Sequence, residues 1–383
     1  MSRLEELIAE LCPDGVEFQS LGEIATFSKG DSRTKAQMNK GCFPVIAGGI
    51  TPAFYCDQYN RIGETIAISS SGVNAGFVSY WNQHIMLTDA FSVEPTERLT
   101  RKFLYYALKN MQERIYSTKT AGGIPHVYGR SIANFIVPIP PLPIQEEIVR
   151  ILDHFTELTA ELTAELTARQ KQYEYYRDLL LTFDDSVQRI PLGEIGRVSM
   201  CKRIMKAETS STGEVPFFKI GTFGKEPDAF ISQEKFEEYR DNYPFPKEGD
   251  VLISASGTIG RTVIYDGKPA YYQDSNIVWV DNDETKILNK FLYYYYSLKP
   301  WSVSTGGTID RLYNYHLSNI PVPIPPLSEQ ERIVEILDRF DALVNDLTSG
   351  LPAEIEARRK QYEYYRDKLL TFKEATPWVP TTS

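Results

Sequence analysis

The 383-residue sequence contains little cysteine and little histidine, with four of each. The cysteines form no C-x-x-C pair, and the histidines do not cluster near them. Structural zinc sites need closely spaced Cys and His ligands, and disulfide frameworks need many paired cysteines. The pattern therefore argues against a metal site and predicts a reducing, cytoplasmic location.

Long apolar segments are also missing. No stretch approaches the roughly eighteen consecutive apolar residues that would suggest a membrane-spanning helix. The first residues, MSRLEELIAELCPDG, are acidic where a secretory signal would be basic and then apolar. We therefore expect a soluble protein with no membrane partner.

Motifs of the common nucleic-acid enzymes are likewise absent. There is no N/D-P-P-Y/F loop of the adenine methyltransferases, and Gly224-Lys225 lacks the remaining residues of a P-loop. The triplet Glu284-Thr285-Lys286 resembles part of a nuclease site, but no companion acid accompanies it and such short matches arise by chance. We therefore expect no catalytic residue, metal or cofactor on this chain.

The net charge is −10, whereas nucleic-acid binders usually carry a basic footprint. Residues 20–141 contain 12 basic and 8 acidic side chains, and residues 187–326 contain 16 and 17. The excess acid thus lies mostly outside these two segments. Phosphate contact is compatible with either segment, although charge alone does not demonstrate it.

The sequence does contain a long internal duplication. The string VPIPPL begins at Val137 and again at Val322, and each copy continues into a related segment, PIQEEIVRILDHF or SEQERIVEILDRF. Further along, ARQKQYEYYRDLLLTF from Ala168 matches ARRKQYEYYRDKLLTF from Ala357. Self-similarity at a fixed separation indicates repeated structural units.

The preceding halves match more weakly. LGEI occurs at Leu21 and Leu192, and KFLYY at Lys102 and Lys290. Weaker correspondences join Ile68–Gly72 to Ile253–Gly257, Asp89 to Asp274, and Gly122-Gly123 to Gly306-Gly307. Nearly identical long segments beside divergent halves suggest a common frame that carries two different recognition surfaces.

The start of the chain belongs to the same pattern. The segment from Leu7 aligns with the segment from Asp178, near the end of the first repeated helix. We therefore expect the start of the chain to pack where the second helix ends, in a cyclic arrangement with pseudo-two-fold symmetry.

The repeated long segments have helical periodicity. Their apolar residues step by three and four, which predicts a coiled-coil seam. The predicted seam consists of Ile148, Ile151, Phe155, Leu158 and Leu162 in the first copy and Ile333, Ile336, Phe340, Leu343 and Leu347 in the second. Ser328 and Glu331 form a capping box, and Gly350-Leu351-Pro352 predicts an interruption of the second helix.

The segment TELTAELTAELTA from Thr156 repeats every four residues, with Leu158, Leu162 and Leu166 on one side of a helix. Each repeat adds about 6 Å of helix length. The segment is either a simple amphipathic helix or a ruler that sets the spacing of the two halves.

These residues resemble the specificity subunits of type I restriction-modification systems. The resemblance rests on IPPL-x-x-Q-E-x-I-V-x-I-L-D at Ile139 and Ile324, on the paired QYEYYRD segments, and on the TAEL repeat, which is similar to the IC subfamily. It covers both helices and the two-copy layout. It implies an α+β fold in which two α/β target-recognition domains are separated by two long antiparallel coiled-coil helices.

The resemblance also implies a function and partners. The chain would be a non-catalytic subunit that binds double-stranded DNA at a bipartite asymmetric site, with one half-site per recognition domain. Its protein partners would be two methyltransferase (M) subunits and two restriction (R) subunits. S-adenosylmethionine, ATP and Mg would then be bound by those partners.

The predicted organisation has five segments. They are an N-terminal short helix near the C-terminal helix (1–18), recognition domain 1 (19–141), a central helix with the TAEL spacer (142–186), recognition domain 2 (187–326) and a C-terminal helix (327–383). Two other functions stay open: a bivalent protein-binding scaffold without DNA readout, which the acidic balance suits, and a self-sufficient nuclease or methyltransferase.

Candidate DNA contacts are small polar, basic or aromatic residues in or near expected loops. They are Lys29, Arg33, Ser70, Asn74, Lys119, His126, Tyr128, Arg130, Lys202, Arg203, Ser254, Ser256, Arg261, Arg311 and Tyr313. Ordinary turn residues and solvated basic loops explain several of them equally well. The Arg311 guanidinium is able to fork onto a guanine, and an ion pair with Asp310 or another acid explains it equally well.

Candidate helix-packing or partner-binding residues lie on the long helices. They are Leu158, Leu162, Leu166, Tyr173, Tyr176, Phe340, Leu347, Tyr362 and Tyr365. The aromatic runs Phe103–Tyr106 and Phe291–Tyr296 resemble base-stacking platforms, but their helical setting favours buried core over DNA contact.

Overall fold

The computed structural model describes residues 3–301 and 311–375. These residues belong to two compact units. Unit 1 comprises Met1–Thr163 and Glu354–Ser383, and unit 2 comprises Ala164–Ala353. Each unit therefore contains one globular half, the start of the long helix that follows it, and the end of the long helix from the other copy.

The elements before residue 185 include a helix of 39 residues. The helices are α1 (Arg3–Leu11), α2 (Leu21–Ile24), α3 (Arg101–Asn110), α4 (Gln112–Tyr116), α5 (Gly129–Ile132) and α6 (Leu142–Leu180). The strands are β1 (Glu17–Ser20), β2 (Ala25–Lys29), β3 (Lys40–Ile46), β4 (Phe54–Cys56), β5 (Glu64–Ser69), β6 (Val78–Asn82), β7 (Met86–Leu87), β8 (Ala90–Pro95) and β9 (Ile136–Ile139).

The later elements follow a similar order, with α8 added, with α11 and α12 in place of α6, and with no counterpart of α4 among the described residues. The helices are α7 (Leu192–Ile195), α8 (Gln233–Asn242), α9 (Asn289–Ser297), α10 (Asn314–Ser318), α11 (Leu327–Asn345) and α12 (Leu351–Leu369). The strands are β10 (Arg189–Pro191), β11 (Arg197–Ser199), β12 (Val215–Phe218), β13 (Phe230–Ile231), β14 (Val251–Ser254), β15 (Thr262–Ile264), β16 (Tyr271–Tyr272), β17 (Ile277–Asp281) and β18 (Pro321–Pro323).

The sheets of the two globular halves have the same topology. In unit 1 the strand orders are β2-β8-β5-β6 and β4-β3-β7, and in unit 2 they are β11-β17-β14-β15 and β13-β12-β16. In both units the first sheet is antiparallel and the second contains one parallel pair. The predicted internal repeat and mixed α+β halves are confirmed by this correspondence.

A short antiparallel pair closes each globular half. Strand β1 pairs with β9, and β10 pairs with β18, so the repeated VPIPPL string lies where the chain leaves the half. The repeated LGEI segments form α2 and α7, whose Leu21 and Leu192 are completely buried. The backbone N–H of Leu21 donates to Phe135, and that of Leu192 donates to Ile320.

One face of each long helix packs on its own globular half. In α6 the buried residues are Ile144, Gln145, Glu147, Ile148 and Leu152, and in α11 they are Gln330, Ile333, Leu337 and Val344. An apolar stripe at helical spacing is expected to face a core in this way. This stripe shares Ile148 and Ile333 with the predicted seam, whose Ile151 and Phe155 are half-buried beside it.

The second long helix is interrupted as the Gly350-Leu351-Pro352 segment predicts. Helix α11 ends at Asn345, and α12 begins at Leu351 with Pro352 in its first turn, where a missing N–H costs little. Between them the Asp346 carboxylate accepts hydrogen bonds from Thr348 and Ser349. These bonds lower the pKa of Asp346 well below its ordinary range.

A buried glutamine fixes each long helix to its globular half. The Gln145 side-chain oxygen accepts from the Thr100 backbone N–H at 2.8 Å, and its amide donates to the carbonyls of Arg98 at 2.9 Å and Pro140 at 2.8 Å. Gln330 is equally buried in unit 2. Its bonds to Leu288, Lys286 and Pro325 have lengths of 2.8, 2.9 and 2.8 Å.

A second matched contact joins the KFLYY and I-L-D motifs. The Tyr106 hydroxyl donates to Asp153 at 2.5 Å, and Lys102 pairs with the same carboxylate at 3.1 Å. In unit 2 the hydroxyl of Tyr294 donates to Asp338 at 2.5 Å, and Lys290 pairs with it at 2.7 Å. The two motifs recur together because KFLYY supplies the lysine and I-L-D supplies the aspartate of this contact.

The aromatic runs are buried core, as predicted. Phe103 and Tyr106 in α3, and Phe291, Tyr294 and Tyr296 in α9, are at most 2% exposed. These residues belong to the main hydrophobic clusters of units 1 and 2. They are therefore unavailable for stacking on bases.

The start and end of the described chain meet in unit 1. The Val16 N–H donates to the Lys373 carbonyl at 2.9 Å, and the Ala375 N–H donates to Val16 at 2.9 Å. In unit 2 the N–H of Val187 donates to Asp184 within a continuous segment. Val187 and Asp184 hold the corresponding places in unit 2, so the start of the chain in unit 1 lies beside the segment that follows the second long helix.

Within residues 3–301 and 311–375, no helix is both long enough and apolar enough to span a bilayer. The same ranges contain no group of His, Cys, Asp and Glu side chains suited to holding a metal ion. The Glu284 carboxylate of the E-x-K triplet accepts from the Asn289 backbone N–H at the start of α9. That contact gives Glu284 a structural role.

Candidate nucleic-acid interface

Domain 1 has an open cavity of about 580 Å³ at one end of its β2-β8-β5-β6 sheet. We call its lining surface 1. It consists of Phe27, Lys29, Ser70, Ser71, Asp89, Phe91, His126, Val127, Tyr128, Gly129 and Arg130. Five of the predicted DNA-contact residues, Lys29, Ser70, His126, Tyr128 and Arg130, therefore lie together.

Three planar side chains stand in a row on surface 1. The ring of His126 stacks on that of Tyr128, with centroids 5.9 Å apart and an angle of 12° between the planes. The Arg130 guanidinium lies 5.1 Å from the centre of the Tyr128 ring. Tyr128 is 40% exposed. Alternate residues at the start of α5 and in the segment before it thus place ring, ring and guanidinium on surface 1.

Domain 2 has a corresponding row. Tyr313 stacks on Tyr315 with centroids 6.0 Å apart and 13° between the planes, and Arg311 precedes them by two residues. Tyr313 is 47% exposed. Arg311 is exposed and makes no ion pair with any acid in residues 3–301 or 311–375. Asp310 and the Gly306-Gly307 turn lie outside the described residues.

Arg311 borders two neighbouring cavities, of about 620 and 350 Å³. We call their combined lining surface 2. It includes Met200, Arg203, Lys206, Lys219, Ala255, Gln273, Asp274, Ser275, Asn276, Arg311, Tyr313 and Tyr315. This surface mixes hydrogen-bond donors and acceptors more evenly than the aromatic lining of surface 1.

The same backbone contacts hold both rows. Ser71 forms an isolated β-bridge with His126, and Ser256 forms one with Arg311. The N–H of Val127 donates to Ser70 at 3.1 Å, and that of Leu312 donates to Ala255 at 2.9 Å. Residues 126, 128 and 130 therefore occupy the places of residues 311, 313 and 315.

Surface 1 contains one carboxylate, Asp89, and surface 2 contains two, Asp274 and the Asp228 that pairs with Lys219. Asp89 lies between β7 and β8, and Asp274 lies in the longer connection between β16 and β17. Asp89 is exposed, whereas Asp274 pairs with the Arg203 Nε at 2.8 Å. The weak sequence match between these acids was visible, but nothing in the sequence showed that they lie beside His126 and Arg311.

The structure gives other predicted contact residues internal partners. Ser254 and Ser256 are buried, and their hydroxyls donate to Thr258 and Asn276, respectively. Arg261 donates to the Phe223 carbonyl at 2.7 Å. These residues stabilise the turn after β14, in agreement with the alternative reading of ordinary turn residues.

Lys119 also has an internal partner, since its ammonium donates to the Val73 carbonyl at 2.9 Å. Arg33 pairs with Asp31 and hydrogen-bonds Gln58. Lys202 lies 4.9 Å from the centre of the Tyr243 ring. These residues and the half-buried Asn74 do not line surface 1 or 2.

The predicted helix-packing residues fall into matched pairs. Tyr365 stacks on Phe155 in unit 1, and Tyr176 stacks on Phe340 in unit 2. Burial raises the pKa of Tyr173 and of its counterpart Tyr362 to about 12. Leu158, Leu162 and Leu166 are half-buried along α6. Leu347 is 80% exposed and follows the end of α11, so the predicted seam does not reach it.

Comparison with known proteins gives the family. A family model described as the type I restriction modification DNA specificity domain matches twice, over residues 13–169 and 185–357. The chain belongs to this family. The two matches correspond to the two copies of the internal repeat.

Curated relatives carry the same description. A putative type I restriction enzyme specificity subunit from Haemophilus influenzae is 49% identical over 83% of this chain and 85% of the relative. The EcoR124I/EcoR124II specificity subunit of Escherichia coli is 36% identical over 97% of both chains. The relatives' names place the chain among specificity subunits, which are non-catalytic members of their systems.

Solved structures agree on the fold. The S subunit of a type I restriction-modification system from M. genitalium matches with a TM-score of 0.63 and 18% identity, over 93% of this chain and 96% of that one. At this identity the likeness supports the architecture alone. It is consistent with two repeated α+β domains and long helices.

Proposed function

We propose that this specificity subunit recognises a bipartite, asymmetric DNA site, with domain 1 reading one half-site and domain 2 the other. The observation that carries the proposal is the pair of exposed surfaces held by the same backbone contacts but bearing different side chains. A protein that reads two different sequences with one fold needs this combination. Base contacts specify the sequence, while the fold and phosphate contacts set position.

The chemistry of the surfaces supports DNA as the ligand. Surface 1 presents a lysine, a histidine and an arginine around an exposed tyrosine, and surface 2 presents arginines, lysines and side-chain amides. Guanidinium and amide groups match the donor and acceptor pattern of base edges in the major groove. Domain 1 also carries more basic than acidic side chains despite the net charge of the chain.

The proposed partners are two methyltransferase subunits and two restriction subunits, which this chain would hold on the recognised site. S-adenosylmethionine, ATP and Mg would be bound by those subunits. The long helices are proposed to set the distance between half-sites, with the TAEL segment acting as the ruler. Half-site centres would lie about one helical turn, roughly 10 bp, apart.

A domain exchange tests the proposal. Residues 19–141 are replaced by the recognition domain of another specificity subunit, and the chain is produced with its methyltransferase subunit. Methylated adenines are then mapped across a genome. We expect one half-site of the methylated motif to change and the other to remain.

A change in both half-sites would contradict the assignment of one half-site to each domain. Absence of any methylated motif with the unaltered chain, together with salt-independent binding to DNA, would instead favour the bivalent protein scaffold. Salt dependence separates the two because DNA binding through phosphate contacts weakens steeply as salt rises.

A further inference from the structure

A further inference, which rests on the proposed function, comes from the two matched rows of side chains. They are residues 126, 128 and 130 in domain 1 and residues 311, 313 and 315 in domain 2. The rows share their backbone contacts, so a base pair bound at the same place would meet residues 126 and 311 in the same geometry. Differences in readout must then come from the side chains. Only the middle member, tyrosine, is the same in both rows.

The shared tyrosines suit a role that does not depend on sequence. Tyr128 and Tyr313 are 40% and 47% exposed, and each stacks on a neighbouring ring of its row. A tyrosine stacks on or hydrogen-bonds any nucleotide with little discrimination. The tyrosines therefore contribute affinity in both domains without distinguishing the half-sites.

The flanking residues differ in the chemistry that bases recognise. Position 126 is histidine and position 311 is arginine, while position 130 is arginine and position 315 is tyrosine. An arginine fork matches the O6 and N7 acceptors of guanine, and this is the commonest specific contact to DNA. Arg311 is exposed and lines surface 2.

Each surface also carries a hydrogen-bond acceptor suited to base edges. Asp89 lines surface 1, and Asp274, which pairs with Arg203, lines surface 2. A carboxylate is suited to accept a hydrogen bond from a base amino group. Both rows therefore lie beside an acceptor that suits base readout.

We propose that residues 126 and 130 in domain 1 and residues 311 and 315 in domain 2 determine the sequences of the two half-sites. Arg311 reads a guanine in the half-site of domain 2. His126 gives the corresponding position of the other half-site a different preference, and Tyr128 and Tyr313 bind without sequence preference.

The test exchanges matched residues in the complex with the methyltransferase subunit. Arg311→His removes the fork, and His126→Arg installs one at the matched place. With Arg311→His we expect preference for guanine at one position of one half-site to fall roughly 10- to 100-fold, with the other half-site unchanged. With His126→Arg we expect a new preference for guanine at the matched position of the other half-site. Methylation mapping and competition binding measure both.

Arg240→His is the control, because Arg240 lies on α8 in an ion pair with Asp241 and outside surface 2. It should leave the motif unchanged. If Arg311→His weakens binding equally for all sequences, Arg311 contacts phosphate and the inference fails. A motif unaltered by both exchanges overturns it as well, provided that thermal unfolding shows intact variants.

Failure of the proposed function looks different. In that case the unaltered complex itself yields no bipartite motif. If the unaltered complex yields a bipartite motif and neither exchange alters it, the proposed function stands and only this inference fails.

Discussion

The contacts that fix the long helices are the same in both units, whereas the surfaces proposed to face DNA differ between the units. The bonds of Gln145 in unit 1 and Gln330 in unit 2 have the same three lengths. On the exposed rows of the same domains, His126 in one unit corresponds to Arg311 in the other. The molecule thus repeats this buried polar contact and varies these exposed side chains.

The difference has a physical reason. A buried amide must satisfy its donors and acceptor, and few arrangements do so, which fixes the glutamine and its backbone partners together. An exposed side chain is satisfied by water and can change without loss of stability. Two domains can therefore share one backbone framework and still present different side chains to a ligand.

The largest effect is expected for Gln145→Leu and Gln330→Leu. Each substitution removes the side-chain partner of one backbone N–H and two carbonyls, of which the carbonyl of Pro140 or Pro325 takes part in a buried bond, and an unsatisfied buried group costs roughly 1–3 kcal/mol. We expect each variant to lose about 3 kcal/mol of unfolding free energy in its own unit. Hydrogen exchange should rise in α3 for Gln145→Leu and in α9 for Gln330→Leu.

The matched control is Gln170→Leu, because Gln170 is an exposed residue of α6. It should change the unfolding free energy by less than about 0.5 kcal/mol. If either buried substitution loosened both units equally, the two glutamines would not act as separate local contacts, and the comparison between the units would break.

A smaller effect is expected for Tyr106→Phe and Tyr294→Phe. Each removes a hydrogen bond to a carboxylate, which is worth roughly 1.5–3 kcal/mol, but the carboxylate is partly exposed and keeps its lysine. Burial, reinforced by the carboxylate, raises the pKa of both tyrosines, so they remain neutral donors at ordinary pH. We expect a loss of about 1.5 kcal/mol in each unit.

Urea unfolding measures this loss, and Tyr175→Phe is the control because Tyr175 is 63% exposed. The control should leave the midpoint unchanged. If unfolding free energy fell in one unit but not in the other, the two Tyr–Asp contacts would differ in their contribution to stability despite their matched geometry.

Much of the fold could be predicted from the sequence, because the repeated motifs contact each other in the folded units. KFLYY and I-L-D lie about fifty residues apart, yet their recurrence in both copies predicted related structures, and Tyr106 and Asp153 supply the reason. The helical seam was predicted in part. Its Phe155 and Phe340 stack on tyrosines of the other long helix, but spacing by three and four did not predict the neighbouring stripe with Leu152, which packs on the globular half.

The candidate site was harder to predict. The sequence placed His126, Tyr128 and Arg311 near turns, but it gave no means to separate them from Ser254 and Arg261, whose polar groups bond to their own turn. Exposure and partner choice arise from tertiary structure, which residue type does not encode. Tyr315 was missed because it resembled one more residue of a tyrosine-rich chain.

The smallest effect concerns a buried position at which the domains differ. Asp250 in domain 2 corresponds to Thr65 in domain 1, since the register of β14 and β17 matches that of β5 and β8. Asp250 is 3% exposed, and burial raises its pKa above the ordinary value of 3.8. Its carboxylate accepts from the Lys247 backbone N–H at 2.8 Å, which opposes the shift only in part.

A raised pKa in the folded state means that the protonated acid favours folding. The contribution is fully present below pH 3.8 and is lost as pH rises through the raised pKa, because ionising a buried carboxylate opposes folding. Asp250→Asn keeps an oxygen for the Lys247 N–H and cannot ionise. We therefore expect the urea midpoint of Asp250→Asn, relative to the unaltered chain, to increase from pH 3.5 to pH 7. Asp241→Asn, at an exposed position, should show no such trend, and a difference independent of pH for Asp250→Asn would show that its carboxylate is solvated well enough to remain charged at no cost.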